Sequence, residues 1–210
     1  MNAARFVARF PQLYHMAEGG SWESILRHGL LSTSRLLDLF EVSGPEREAI
    51  EFQRRLAKVD IHHLAHDTVT IRDQKPLYEP GLRRSLVGME VVEWYHMLSR
   101  MVFFWPRWAD LLRMANSPEY RSDVRLVLTV DTHRLMQAAG ERLRLSSINS
   151  GYARRNPALR GPATFTALDD YPGSDVKEIA VLSGVAGAVD LIETASELLP
   201  DGTWRPVWPS

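Results

Sequence analysis

Apolar positions along this chain come in short stretches, some with the two-residue period of strands and some with the three-to-four-residue period of helices. Residues 3–10 place Phe6, Val7 and Phe10 on one helical face, and Pro11 ends that helix. Leu13-Tyr14-His15-Met16 reads as a short strand. Ser21 to His28 reads as a two-turn helix with Trp22, Ile25 and Leu26 as its apolar face. Ser21 suits the cap, Glu23 suits the positive end of the helix dipole, and Gly29 suits the position that ends the helix. Leu30-Leu31-Ser32 follows as a second strand. Two more helices are expected, Ser34 to Val42 and Pro45 to about Lys58, the latter with its Glu and Arg residues on a solvated face.

Residues 60–67 hold the densest run of histidines. On a helix, His62 and His66 would share a face at a spacing metals use. No third ligand stands out and no His-Glu-x-x-His pattern occurs, so the plainer reading is a surface helix end, and no metal site is assigned. Thr68 to Arg72 is β-branched and reads as a strand that leaves through a turn at Asp73-Gln74-Lys75-Pro76. The planar fork of Arg72 could meet a pyrophosphate there, or pair with Asp73. Tyr78 to Val87 reads as irregular, turning at Pro80-Gly81.

Val91 to Met101 is expected to be helical, Val102 to Trp105 an aromatic strand stopped by Pro106, and Arg107 to Met114 a short helix. Val124 to Val130 is a strongly apolar strand, and Asp131 caps the helix that Gly140 ends. Arg142 to Leu145 alternates as a half-buried strand does. Residues 146–157 form a polar, turn-rich loop, either a plain surface loop or a substrate contact, with Arg154, Arg155 and Arg160 as a local basic patch. Ala163 to Leu168 and Val176 to Leu182 are further strands. On the second of these Glu178, Ala180 and Leu182 share a face, opposite Ile179 and Val181. Gly184 to Ile192 gives a turn and one more short element, and the tail from Trp204 to Pro209 is too proline-rich for regular structure, with its tryptophans docked on the body.

Composition narrows the function classes. The 210 residues, 45 % of them hydrophobic, suit one domain with a substantial core, here with a helical insertion at about 34–67. A formal net charge of −1 supplies no bulk attraction to nucleic acid or lipid, so such contacts require a local patch. The chain has no cysteine, which excludes disulfides, thiolate zinc sites and cysteine nucleophiles and is compatible with the cytoplasm, the expected location. The first residues lack a signal-peptide core, and no segment approaches the roughly 20 apolar residues that span a bilayer, so no membrane association is expected. Dinucleotide-fold glycine motifs, phosphate loops and Gly-x-Ser-x-Gly elbows are all missing.

The Tyr14-His15 strand with the following Ser-Ile-Leu-x-x-Gly-Leu helix resembles the opening of ADP-ribosyltransferase-like proteins, in particular the DarT-type DNA ADP-ribosyltransferases and a nearby uncharacterised bacterial family. The segment Lys177-Glu178-Ile179-Ala180-Val181-Leu182 is similar to the strand that bears their catalytic glutamate. The resemblance implies an α+β fold of two small packed β-sheets flanked by helices, in a single domain over 1–210. It implies an NAD-dependent ADP-ribosyltransferase with NAD as substrate, Glu178 and Arg72 as catalytic residues, and Tyr14, His15, Arg72 and Asn149 as NAD contacts. Arg83 and Arg84 are rivals to Arg72 for the phosphates. The arginine-rich element that precedes the aromatic strand in DarT-type enzymes is not found, so the acceptor stays open between nucleic acid and protein. The alternative is a non-catalytic NAD- or nucleotide-binding module of the same fold.

Overall fold

The computed structural model describes residues 1–173 and 175–209. Helix α1 (Ala3–Arg9) leads to β1 (Gln12–Glu18), α2 (Trp22–His28), β2 (Leu30–Leu31), α3 (Thr33–Leu39) and α4 (Gly44–Phe52). A hairpin of β3 (Val59–His63) and β4 (Asp67–Ile71) follows, then α5 (Glu79–Ser85), α6 (Val91–Ser99), β5 (Met101–Phe104) and α7 (Trp108–Ala115). The remainder is β6 (Arg125–Asp131), α8 (Thr132–Ala139), β7 (Leu143–Ser146), β8 (Thr166–Ala167), β9 (Glu178–Leu182), β10 (Gly184–Val185), β11 (Ile192–Leu198) and β12 (Trp204–Trp208).

The fold is α+β. One antiparallel sheet runs β1-β6-β11-β12 and a second runs β5-β9-β7-β8. Their inner faces form the main core, Leu13, Leu126, Leu128 and Ala195 from the first meeting Val102, Leu145, Ile179 and Val181 from the second. This is the alternation expected for the Glu178 strand: Ile179 and Val181 enter the inter-sheet core, while Ala180 packs with α5 and α6 on the outer face. Helix α7 covers the outer face of the first sheet through Leu111 and Ala115. A backbone bridge also links them, Tyr14 of β1 and Trp105, just after β5, exchanging hydrogen bonds of 2.9 and 2.8 Å.

Local capping explains several helix starts. Asn2, Ser32 and Asp131 side chains accept from Arg5, Arg35 and Arg134 backbone N–H groups, and Glu90 with Glu93 form a capping box at α6. Ser21 does not make the expected bond, because its backbone is already helical and its side chain caps nothing. The helical insertion is helical only through Phe52; residues 59–71 form the β3–β4 hairpin, and α3, α4 and that hairpin share a small core around Leu37, Phe40, Ile50 and Ile61. Residues 79–85 are helix α5 rather than irregular, since Pro80 falls in the first turn, where its missing N–H is harmless. The tail forms β12 on the sheet edge, where Pro206 removes no needed hydrogen bond. Strand β11 escapes a period-two reading because a bulge between Ile192 and Thr194 shifts its register.

The short pairing of β2 with β10 joins the wall of α2 to the second sheet and needs Gly184. Its φ is +84°, and a Cβ there would lie 2.0 Å from the Leu30 carbonyl oxygen. Gly184→Ala should lower unfolding stability by at least about 2 kcal/mol. A urea melt with an unchanged midpoint would contradict the close approach. Among the described residues no helix is long and apolar enough to cross a membrane.

Candidate functional site

Beyond the Tyr14–Trp105 contact, β1 and β5 diverge, and a cleft of about 300 Å³ opens between them. It is walled by β1, α2, β4 with its following turn, β5 and residues 149–151. Its polar lining includes His15, Arg55, Arg72, Asn149, Ser150 and Glu178.

His15 sits where the strands part. Its Nδ1 lies 2.8 Å from the Phe103 carbonyl oxygen, in place of the ladder bond that separation removes. A carbonyl only accepts, so Nδ1 carries the proton and Nε2 of the neutral ring is left as an acceptor. Burial in the cleft wall holds the His15 pKa down to about 4, against a smaller raising effect of the Phe103 bond, and the positive charge of Arg72 lowers it further.

Glu178 begins β9, a central strand of the second sheet, opposite Ser146 of β7. It is buried, and its Oε2 accepts from the Ser150 backbone N–H at 3.2 Å. Burial pushes its pKa up to about 7; the Ser150 hydrogen bonds and the charge of Arg160 act in the opposite direction but do not overcome it.

Arg72 follows directly on β4. Its guanidinium lies over the Tyr120 ring at 4.6 Å, donates from Nη1 to the Met16 carbonyl at 3.2 Å, and approaches Glu18 at 3.8 Å. Its Nε is buried and has no hydrogen-bond partner among the described residues. Tyr120 is itself held in place by Arg125, a buried arginine that donates to the carbonyls of Ala115, Tyr120, Leu198 and Leu199. Arg125 thus ties the Tyr120 backbone beneath Arg72 to α7 and β11, and the buried Arg72 Nε is the atom that faces the Glu18 carboxylate.

Four of the residues singled out from the sequence, His15, Arg72, Asn149 and Glu178, line this one cleft. Asn149 stands at its exposed rim, its Oδ1 accepting from Gly151 N–H at 3.2 Å. Tyr14 does not join them. Strand alternation turns it to the opposite face of β1, where its ring packs against Trp108 at 5.2 Å. Arg83 pairs with Glu79 on the surface of α5, and Arg84 is exposed; neither lines the cleft. The histidine run does not form a helix face either. His62 bonds Thr68 Oγ1 across the hairpin at 2.7 Å, while His66 stacks on His63 at 4.8 Å and meets the ring of His28 at 4.9 Å. Among the described residues no group of three His, Cys, Asp or Glu side chains is arranged to hold a metal ion.

A model of a family of unknown function (DUF7002) matches residues 11–191. The chain belongs to this family. The matched span holds His15, Arg72, Asn149 and Glu178, and leaves α1, β11 and β12 outside it. No curated protein and no solved structure matches the chain.

Two arginines of this DUF7002 protein escaped sequence reasoning. Arg55 was expected on a solvated helix face, but α4 ends three residues before it, and Arg55 turns inward to line the cleft. It donates from Nε to the Arg72 carbonyl at 3.0 Å and from Nη1 to the Ile50 carbonyl. Burial pushes its pKa down to about 10, opposed by Asp73, so it stays charged at neutral pH. Arg160 was expected in a basic surface patch with Arg154 and Arg155, yet only 3 % of it is exposed. A lone arginine in a polar stretch carries no signal of burial; the carbonyls that receive it are set by tertiary contacts.

Proposed function

We propose that this protein is an NAD-dependent ADP-ribosyltransferase with an ADP-ribosyltransferase-type fold. The observation that carries the reading is the meeting of His15 and Glu178, from two different sheets, in one cleft that Arg72 also lines. The transfer breaks the bond between ribose C1′ and the nicotinamide nitrogen. The bonding pair leaves with nicotinamide, and an acceptor oxygen or nitrogen of a nucleic acid or protein bonds to C1′ and releases its proton. Positive charge develops on the ribose in the transition state, as in glycoside cleavage.

Each residue has a part in this reading. The Glu178 carboxylate stabilises the developing charge and holds a ribose hydroxyl. The cationic nicotinamide ring, brought beside it, favours its ionised form. His15 Nε2 accepts from a hydroxyl of the adenosine-side ribose. Arg72 donates to the phosphates, and Arg55 adds a second positive charge to that end of the cleft. Asn149 contributes at the rim. No step calls for a metal.

The test is calorimetric titration with NAD together with an assay for released nicotinamide. Wild type should bind and release. Arg72→Met should weaken binding roughly 10–100-fold, the loss expected for charge-assisted hydrogen bonds. The kcat/KM should rise as pH climbs through about 7, because the ionised Glu178 of the free protein is the competent form. A folded wild type that neither binds NAD nor releases nicotinamide would refute the assignment. Binding without release would select a non-catalytic nucleotide-binding role, a second reading favoured by the burial that holds Glu178 towards its uncharged form.

A further inference from the structure

Ser150 stands between two buried charged groups. Its backbone N–H donates to Glu178 Oε2 at 3.2 Å, and its carbonyl accepts from Arg160 Nη1 at 2.9 Å. Arg160 also donates from Nη2 to the Tyr152 carbonyl at 3.0 Å and from Nε to the Ala158 carbonyl at 3.2 Å. Residues 150–158 thus wrap around one guanidinium. Arg160 is anchored in turn, because its backbone pairs with Ser85 and Val87 (Arg160 N–H to Ser85 O, 2.8 Å; Val87 N–H to Arg160 O, 2.9 Å), and its charge lies 5.7 Å from the ring of fully buried Trp94. A surface loop does not need a buried cation to hold its shape. A loop that must present one N–H to one carboxylate does, since each unsatisfied buried carbonyl would otherwise pull it elsewhere.

We propose that Arg160 is a positioning residue that aims the Glu178 carboxylate into the cleft through Ser150. It acts in two ways, by fixing the Ser150 N–H and by supplying the positive field that offsets burial. Arg72 and Arg55 line the same cleft, Arg72 held by the Met16 carbonyl and Glu18 and Arg55 by the Arg72 and Ile50 carbonyls, and the charged groups nearer Glu178 in chain and sheet are engaged elsewhere. Lys177 pairs with Asp175, Arg144 donates to the Glu141 and Leu143 carbonyls, and the Tyr171 hydroxyl donates to the Asp175 carbonyl. His15, across the same cleft, is neutral above about pH 4. The inference rests on Glu178 being the reactive carboxylate, but its test needs no NAD.

The Ser150 amide is the reporter, because its proton is shared with Glu178. In wild type its NMR shift should titrate with a midpoint near 7. Arg160→Met removes fork and charge, so the midpoint should rise by about one pH unit. Arg160→Lys keeps the charge without the fork. Its midpoint should stay near that of wild type, while hydrogen exchange at Ser150 speeds up at least roughly 10-fold relative to Leu145 in neighbouring β7. If NAD is turned over, both variants should lower kcat with little change in the KM for NAD, because Arg160 does not line the cleft. A midpoint that is unchanged or lowered in Arg160→Met, or, should that variant not fold, unchanged Ser150 exchange in Arg160→Lys, would overturn the proposal and leave Arg160 as a purely structural staple. A normal wild-type titration with no NAD binding would instead refute the transferase reading and leave the positioning result standing.

Discussion

Under the proposed function, Glu178→Gln is expected to cut ADP-ribose transfer sharply, and whatever the function, to raise the stability of the fold at pH 8. The two effects have one cause. Burial lifts the folded pKa of Glu178 to about 7 from an ordinary 4.5. Between those values the folded state binds more protons than the unfolded chain, so stability falls as pH rises through this window and the cost is complete above it. A shift of that size corresponds to roughly 3 kcal/mol. Glutamine has the same shape, and its carbonyl oxygen can still accept from Ser150, but it never ionises. Thermal melts should therefore separate variant from wild type at pH 8 and bring them together near pH 4.5. Transfer should drop roughly 10²–10³-fold or more, the range for loss of a group aimed at transition-state charge. Full activity in the variant would sink the role of Glu178. Equal melting temperatures at pH 8 would show that the carboxylate is not held against its preference for water.

His15→Ala is expected to lose measurable NAD binding while keeping the fold. The substitution removes the Nε2 acceptor and the bond to Phe103 that fixes the ring. The linkage sign is opposite to that of Glu178. The folded pKa of His15 lies near 4, below its ordinary 6.5, so the folded state binds fewer protons in that window and stability is lost as pH falls through it. In wild type the two slopes oppose each other between about pH 4.5 and 6.5, where the cleft holds both groups uncharged. In the variant the His15 slope is gone. Its stability deficit should be greatest at neutral pH and narrow towards pH 4. Calorimetry on the variant gives the binding result, and circular dichroism across this range gives the control. Undiminished NAD binding would remove His15 from the site.

Most strands of the two sheets are legible as short apolar or alternating runs. Leu13 to Met16, Val102 to Trp105, Val124 to Val130, Arg142 to Leu145 and Val176 to Leu182 each overlap an observed strand. The same rule should have separated Tyr14 from His15, since neighbours on a strand face opposite ways. Of the β3–β4 hairpin, β4 is legible as the β-branched run from Thr68, but β3 reads as a helix end because its histidines mimic a helical repeat. Helix α5 hides behind Pro80-Gly81. Gly81 is not there for a turn: a Cβ at that position would lie 1.9 Å from the Ala153 carbonyl oxygen, so the helix can pack against the loop that follows Ser150 only with glycine there.

By itself the sequence determined a mixed α+β chain without cysteine or a bilayer-length apolar run, most of its strands, and four of the residues that meet in the cleft. The strands and the exclusions follow from local periodicity, capping and composition, which a window of a few residues contains; the four cleft residues were singled out by the resemblance of the Tyr14-His15 and Lys177-to-Leu182 segments to ADP-ribosyltransferase-like proteins. Only the tertiary structure decided that β1 and β5 part to open the cleft, that Arg55 turns in to line it, and that Arg160 is buried against the Ser150 carbonyl. Those outcomes depend on carbonyls and rings brought together from distant segments. A guanidinium becomes a site cation or a staple only through the partners that long-range packing provides.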